Sequence, residues 1–599
     1  MENQGSKKET PVASNQEIQQ IKDENLSNNK SEKNKEVQQQ NQEQNNELQE
    51  QIKPIPIDEV KERLKSLNFG FKQQNEIDEI RNAIIQSATE LKMNIQQQNK
   101  IINEQFVNDF NSIIKLYASL AQISLNFEST QITKVQSESL VKELTNSCVS
   151  LQIIELNFRN NNLNSKCIRS ILQDLSQLLK LKKLTINLDN NFIGANGLDI
   201  ALEGWQKGLN VEYLDIDFRF NFIIIFQFFI KQFQKHSNNS LQFDGALLLF
   251  QEMKYLKNIV QLRINLEGNS ISGQQVDEKS LMEGIVSCKM LQEIDIDLSN
   301  NQIGDNEVTD MAIQFFQVTR LKKIKLVLWE NQVTFEGYYN FFQNISKCKQ
   351  LEELDVNFDD NQLSEIDEKI AYNFSALNNQ LSSLACSNIF KKMDLMVSLK
   401  SLNINLRKNS LTAQDCIESF ENFSNIQYLT QLNINLSKNR IESNKYGFLN
   451  QITSFPFLQR FTLDLSYNFL NIKFTEHFQS LNSFDEKYIG NVLKPLSNTS
   501  SIKQLSINLS ACGIKNIGIQ SVAEVLFQGY VPIESLELNL SNNMCQLEYL
   551  YSYLECLKQM RNLVFVSINL RNNGLGSIEQ DYIQNIIDKK RYKYCELLF

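Results

Sequence analysis

Aliphatic residues recur along most of this chain in a thirteen-residue register, L-x-x-L-x-I-N-L-x-x-N-x-I, set within a longer period. Clear copies are LKKLTINLDNNFI from Leu181, LQEIDIDLSNNQI from Leu291, LEELDVNFDDNQL from Leu351, LTQLNINLSKNRI from Leu429 and LVFVSINLRNNGL from Leu563. Fourteen copies begin at Leu120, Leu151, Leu181, Val211, Ile259, Leu291, Leu321, Leu351, Leu399, Leu429, Leu458, Ile502, Ile533 and Leu563. The numbers of successive starts differ by 31, 30, 30, 48, 32, 30, 30, 48, 30, 29, 44, 31 and 30, so ten of the thirteen steps fall between 29 and 32. A fixed period of that size marks a stacked array and not a set of independent domains. With the positions of a copy numbered 1 to 13, the alternation at 4, 6 and 8 predicts a strand, with the intervening residues on its other face. The remainder of each period is helical. Ile168, Ile171, Leu172, Leu175 and Leu178 share one helical face in one copy, as do Val308, Met311, Ala312, Phe315 and Phe316 in another. One strand and one helix cannot enclose a core alone, but stacking units buries a continuous one. The expected fold is therefore α/β, a solenoid with an inner parallel sheet and outer helices.

The flanks follow other patterns. Residues 1–55 are dominated by Gln, Asn, Glu, Lys and Ser, which cannot bury enough apolar surface to offset the entropy of ordering, and read as a disordered polar tail. Residues 56–119 read as a helical N-terminal cap, with Ile77, Ile80, Ile84, Ala88, Leu91 and Ile95 at three- and four-residue steps. The same stretch admits a second reading, a short coiled coil or partner-binding helix. The repeats occupy 120–580, and 581–599 form a C-terminal cap.

The register resembles the leucine-rich repeat family, in particular its ribonuclease-inhibitor-like class, over about residues 120 to 580. Two residues, as in Asn187-Leu188, separate the usual L-x-x-L-x-L from the turn, so each strand is expected to be longer than the family's. Composition and this variant look like the large repeat families of ciliated protozoa. The resemblance assigns the Asn at position 11 a structural role, bonding backbone groups in the turn after the strand. It stands as Asn161, Asn191, Asn269, Asn301, Asn331, Asn361, Asn409, Asn439, Asn468, Asn543 and Asn573, while Thr130 and Cys512 replace it in two copies. The resemblance also implies that the concave strand face binds. Position 7 lies on that face and is Asn or Asp in thirteen of fourteen copies, among them Asn265, Asp297 and Asn357. Two readings of this column stay open: amides that stabilise the sheet as a polar ladder, or direct recognition of a ligand. The exception is the seventh copy, where Val327 replaces the amide and Trp329 follows, with Lys322, Lys323 and Lys325 alongside. Trp beside basic residues is the composition of a binding hot spot, and Trp packed into the turn is the other reading.

Composition narrows the chemistry. The chain has 599 residues, 41% hydrophobic and 22% charged, with 60 basic against 70 acidic residues and a net charge of −10. That balance argues against nonspecific nucleic-acid binding. His236 and His477 are too few and too far apart for a His-based metal site or hydrolytic triad, and the ten cysteines form no C-x-x-C, so no metal or cofactor is expected. No phosphate-binding G-x-x-x-x-G-K-[ST], Gly-rich kinase loop, H-R-D or D-F-G is present. The start shows no signal-peptide or myristoylation pattern, and no apolar run reaches the length of a membrane span, which points to an intracellular, cytoplasmic protein. The functional expectation is a noncatalytic scaffold or adaptor, monomeric alone, that binds a protein partner on the concave face. The alternatives are a GTPase-binding or GTPase-activating factor and a substrate receptor of a ubiquitin ligase.

Three steps exceed the period. Excising Phe220–Ser237 restores register in the first of them and makes Asn239, not Asn221, the turn asparagine of its copy. An excision of the same length near Asn361–Asn378 restores the second, and the third adds chain around Glu476–Pro495. The segment FNFIIIFQFFIKQFQKHS is strongly apolar for a surface loop, so it reads either as translated intron sequence or as a hydrophobic docking loop. Sequencing the mature message decides between them: a transcript lacking these codons removes the docking loop, and one that retains them removes the intron.

Overall fold

The computed structural model describes residues 90–94, 101–193, 200–203, 205, 209–219, 241–272, 280–361, 396–409, 411–412, 416, 426–439, 441, 449–468, 488–514, 516–528, 532–543, 546, 550, 554, 557, 560–586 and 592–599. The tail 1–55, the segment Phe220–Ser237, Asn239 and most of the two later insertions lie outside them.

Sixteen parallel strands form one sheet in strict chain order. They are β1 (Glu90–Asn94), β2 (Gln122–Asn126), β3 (Ile153–Asn157), β4 (Lys183–Asn187), β5 (Tyr213–Asp217), β6 (Gln261–Asn265), β7 (Glu293–Asp297) and β8 (Lys323–Val327). The second half is β9 (Glu353–Asn357), β10 (Ser401–Asn405), β11 (Gln431–Asn435), β12 (Arg460–Asp464), β13 (Gln504–Asn508), β14 (Ser535–Asn539), β15 (Phe565–Asn569) and β16 (Tyr594–Leu598). In each repeat the strand occupies positions 3 to 7. Backbone bonds between repeats run further, from position 2 (Lys182 N–H to Gln152 O, 2.8 Å) to position 10 (Asn190 N–H to Arg219 O, 2.9 Å). Equal positions pair across every step: Lys183 with Tyr213 in an ordinary step, Glu353 with Ser401 across the second insertion, and Arg460 with Gln504 across the third. The insertions therefore leave the register intact. Leu241, which stands at position 13 once Phe220–Ser237 is discounted, is fully buried.

Positions 4 and 6 point inward throughout, as with Leu184 and Ile186, and meet α-helices on the same side. These are α1 (Glu104–Ile114), α2 (Lys134–Ser147), α3 (Ser165–Leu175), α4 (Gln242–Glu252), α5 (Asp305–Gln317), α6 (Phe335–Ile345), α7 (Tyr488–Leu493), α8 (Asn516–Gln528) and α9 (Ser577–Ile586). A 3-10 helix at Glu283–Ser287 takes this place in another repeat. Local sequence starts the helices. Thr133 and Gln136 form a reciprocal capping box for α2, and Asn164 Oδ1 accepts the Cys167 N–H at the start of α3. Ile168, Ile171, Leu172 and Leu175 are buried as expected. Phe316 is not: it is 43% exposed, one residue off the face that holds Val308, Met311, Ala312 and Phe315, with Lys347 Nζ over its ring at 5.6 Å.

Helical expectation across the N-terminal cap is overturned at Glu90–Asn94. Leu91 and Met93 alternate into the core from β1, and Leu91 pairs with Ile123, so period 2 prevails over the three- and four-residue spacing there. The cap keeps a helix in α1. At the other end, the boundary at 581 falls inside α9, and β16 extends the sheet beyond the last copy.

Asparagine at position 11 joins neighbouring repeats. All eleven are buried. Asn301 Nδ2 donates to Leu298 O in its own repeat (2.9 Å) and to Leu266 O in the one before (3.0 Å), and Asn301 Oδ1 accepts the Asn269 and Ile271 N–H groups. The preceding repeat's position-13 N–H meets this oxygen again at Asn161, Asn191, Asn331, Asn361, Asn439, Asn468 and Asn543. Position 10 supports the arrangement. Its thirteen described residues all have left-handed backbone, from Asn300 at +51° to Gly268 at +70°, which turns their N–H groups toward the next repeat. Asn and Gly tolerate that conformation, but Tyr467 and Ala511 hold it too.

The rungs weaken where the chain is longest. Asn269 and Asn409, each the turn asparagine of the first repeat after an insertion, have a buried Oδ1 without a hydrogen-bond partner among the described residues. After the third long step the asparagine itself is replaced by Cys512, whose Sγ reaches Leu465 O at 3.0 Å. Burial pushes that thiol up to about 12, as it does for Cys148, Cys288 and Cys348, so these cysteines are core residues without thiolate character.

Replacing Asn301 with Ala strands the Asn269 and Ile271 N–H groups inside the stack, while Leu266 O and Leu298 O keep Asn269 Nδ2 and Asn331 Nδ2, and should cost about 2 kcal/mol or more in chemical unfolding. Cys512→Asn should shift stability the other way, by about 1 kcal/mol. Equal and small effects for both would contradict the ladder.

Candidate interaction face on the open side of the sheet

Helices cover one side of the sheet. The other presents positions 3, 5 and 7 of every strand, and the predicted residues meet there. Asn265, Asp297, Val327 and Asn357 are register partners across β6, β7, β8 and β9. Lys323 and Lys325 lie on the same strand as Val327. Trp329 follows at position 9, half-buried.

Position 7 has a local duty. In all thirteen copies where it is Asn or Asp, its Oδ1 accepts the N–H of position 9, as Asn265 does from Glu267 (3.0 Å), Asp297 from Ser299 (2.9 Å) and Asn357 from Asp359 (2.9 Å). This Asx turn ends each strand. Val327 has no side-chain oxygen to offer, so the seventh repeat ends its strand without that bond. Lateral side-chain bonding occurs at position 7, where Asn508 Nδ2 donates to Asp464 Oδ2 at 3.0 Å, and amide to amide at position 10, where Asn190 Nδ2 donates to Asn160 Oδ1 and Asn572 Nδ2 to Asn542 Oδ1.

The charged residues form rows. At position 5, Arg263 Nε and Lys325 Nζ both reach Asp295 Oδ2, at 2.9 and 3.3 Å, and at position 3 Lys323 is 3.0 Å from Glu353. At position 9 the sign alternates from Glu128 through Arg159, Asp189 and Arg219 to Glu267, with separations of 3.3, 2.7, 3.8 and 3.8 Å. Lys323 and Lys325 are thus matched by carboxylates of neighbouring strands. Sequence reasoning weighs the position-7 column and the residues around Trp329 and misses these rows; the signal that would have found them is charge alternation between equal positions of successive copies.

Electrostatics follow burial. Asp189 is 1% exposed, and burial raises its carboxyl pKa, with Asp217 adding to the rise and the guanidiniums of Arg219 and Arg159 opposing it. Burial likewise raises Asp215 and Asp355, with Arg263 and Lys325 respectively opposing it. A hollow of about 300 Å³ lies over β5 to β9, lined by Tyr213, Arg263, Asp295, Lys323, Lys325 and Asp355 among others. It has a charged floor, and no group of three or more metal-ligating side chains occurs among the described residues. Such a surface can pair with polar and charged side chains of a partner.

The sequence matches no protein-family model and no curated protein. Solved structures with a related chain path include an internalin from Listeria monocytogenes, 14% identical, TM-score 0.37, covering 78% of this chain and 95% of that one. A leucine-rich-repeat protein from Leptospira interrogans is 15% identical, TM-score 0.39, over 88% of this chain and 99% of its own. The yeast complex of Rad7 and Elc1 gives 13% identity and TM-score 0.36, over 84% and 95%. Each likeness is one of chain path.

Asp355 yields a prediction with a definite sign. A carboxyl whose folded pKa is raised destabilises the fold once ionised, so the penalty is present above the folded pKa and vanishes as pH falls to the unfolded value. Asp355→Asn should therefore leave the protein at least as stable as wild type at neutral pH. Any gain should shrink in urea titrations as pH is lowered through the carboxyl range; a gain that grows with acid would contradict this.

Proposed function

We propose that this leucine-rich-repeat solenoid is a noncatalytic scaffold or adaptor that binds another protein across the open face of its sheet, centred on β8. The observation that carries the reading is the seventh repeat. There the Asx-turn column is broken by Val327 and the polar row at position 9 is broken by Trp329, in the same repeat whose Lys323 and Lys325 line the hollow. A half-buried Trp amid polar side chains supplies apolar contact area at the middle of a long polar surface, the arrangement in which a few residues dominate an interface. Asn265, Asp297 and Asn357 keep their Nδ2 groups or second oxygens for a partner while their Oδ1 atoms cap the turns.

The ribonuclease-inhibitor-like class is our reading of the strand and α-helix alternation. We place the protein in the cytoplasm, monomeric before it meets its partner and without a nucleic-acid ligand; among the described residues no helix is long and apolar enough to cross a membrane. Narrower roles, a GTPase-binding or GTPase-activating factor and a ubiquitin-ligase substrate receptor, draw on no particular residue of this face. The general reading is the conclusion.

Capture of a partner by the immobilised full chain tests it. Trp329→Ala should weaken capture about tenfold while moving the melting temperature by no more than about 2 °C. A large fall in melting temperature with capture intact would make Trp329 a packing residue and remove the hot spot.

A further inference from the structure

Each repeat begins with a turn that carries the chain from the helical layer into the strand, and these turns line the leading edge of the sheet. The residue just before position 1 is polar in ten of the fourteen copies, as at Ser150, Lys180 and Asn258. Two consecutive copies depart from this with Tyr428 and Phe457. Their rings stack at 6.2 Å between centroids, 6° from parallel, yet they are 57% and 53% exposed, and Val397 in the preceding copy is 54% exposed. Water covers half of each ring on a largely polar edge, which is unfavourable unless another molecule covers them.

These side chains form the apolar end of a groove of about 710 Å³ whose other lining includes Lys322, Glu352 and Lys400. Lys400 Nζ is 2.6 Å from Glu352 Oε2, and that contact holds the carboxyl below its usual range. Lys322 makes no ion pair among the described residues, so the groove carries one unmatched positive charge. A second lies beside it. Arg460 follows the groove residue Gln459 and opens β12. On the open face, the cations Lys183, Arg263, Lys323 and Lys325 each have a carboxylate within 3.3 Å, whereas Arg460 has none among the described residues. The groove spans the repeats of β8 to β12, four inter-strand steps or about 19 Å, the reach of about six extended residues.

We propose that this leading-edge groove binds an extended segment of a partner protein in which an aromatic or bulky aliphatic side chain is flanked by aspartate or glutamate. The apolar side chain lies against Tyr428 and Phe457, and the flanking carboxylates meet Lys322 at one end and Arg460 at the other. A nucleic-acid strand stacked on the same aromatic pair is the competing occupant, and the oligonucleotide arm of the test decides against it or for it. The inference uses neither Trp329 nor the open-face hollow, so it stands or falls apart from the scaffold reading of that face.

The test is fluorescence polarisation with the full chain and a labelled nonapeptide, Asp-Glu-Asp-Phe-Glu-Phe-Asp-Glu-Asp. Two control peptides replace the acids with Lys or the Phe residues with Ser, and a labelled oligouridylate serves as the nucleic-acid arm. Saturable binding of the acidic aromatic peptide is expected, weakened about tenfold or more by either peptide change. The pair Tyr428→Ser with Phe457→Ser should weaken it as much. Arg460→Glu, a change at an exposed position that leaves the core alone, should do so too, and Trp329→Ala should change it by less than about twofold. Absence of saturable binding, equal binding of the Lys peptide, indifference to Arg460→Glu, loss on Trp329→Ala, or preference for the oligonucleotide would each overturn the proposal.

Discussion

One interaction organises this molecule: a buried asparagine side chain that bonds the backbone of its own repeat and of the repeat before it. A stack of parallel strands must turn sharply at the end of each strand, and the turn strands carbonyl and N–H groups inside the protein, where each unpaired group costs about 1–3 kcal/mol. Asn191, Asn301 and Asn543 meet both kinds of group with one side chain. Because one end of the bond lies in the neighbouring repeat, the same amide that closes a turn also sets the spacing between units. The left-handed residue at position 10 and the Asx cap at position 7 serve that geometry.

From this constraint follows the surface. Equal positions of successive repeats become lateral neighbours, so any residue type repeated at one position forms a row. Rows of like charge would repel, and the rows alternate instead: Glu128, Arg159, Asp189, Arg219, Glu267 at position 9 and Asp215, Arg263, Asp295, Lys325, Asp355 at position 5. A surface that satisfies itself this way offers little to a partner except where a row is interrupted. Interruptions are concentrated at the seventh repeat, on the open face, and between Val397 and Phe457 on the leading edge.

The long steps show how much departure the ladder tolerates. The sheet register passes through all three without a slip, because Tyr213 still faces Gln261, Glu353 faces Ser401 and Arg460 faces Gln504. The side-chain rungs do not pass unchanged, since Asn269 and Asn409 leave an oxygen unpaired among the described residues and Cys512 offers only a thiol. Much of this is legible in the sequence. Leucine and isoleucine at positions 4 and 6 announce a period-2 strand, and the eleven asparagines stand where their bonds are needed. What is not legible depends on neighbours that are distant in the chain. Position 7 reads as a polar ladder or a ligand-recognising row, and the Asx bond from Asn265 to the residue two positions ahead is not visible in the pattern; Lys325 reads as part of a hot spot, and its pairing with Asp295 one strand away is not visible either. Leu91 fits a helical spacing as well as a strand, and only pairing with β2 selects the strand. Tyr428 and Phe457 belong to different repeats and are stacked only because the period places them so.

Amide hydrogen exchange at position 13 tests the central claim most directly. The N–H groups of Leu163, Ile303, Val333 and Ile514 point at an asparagine oxygen of the next repeat, at 3.0 to 3.1 Å, and not at a backbone carbonyl of any helix or strand. They should exchange as slowly as the strand amides of the same repeats. Exchange at the rate of an open surface turn at these four positions would show that the asparagines do not join the stack.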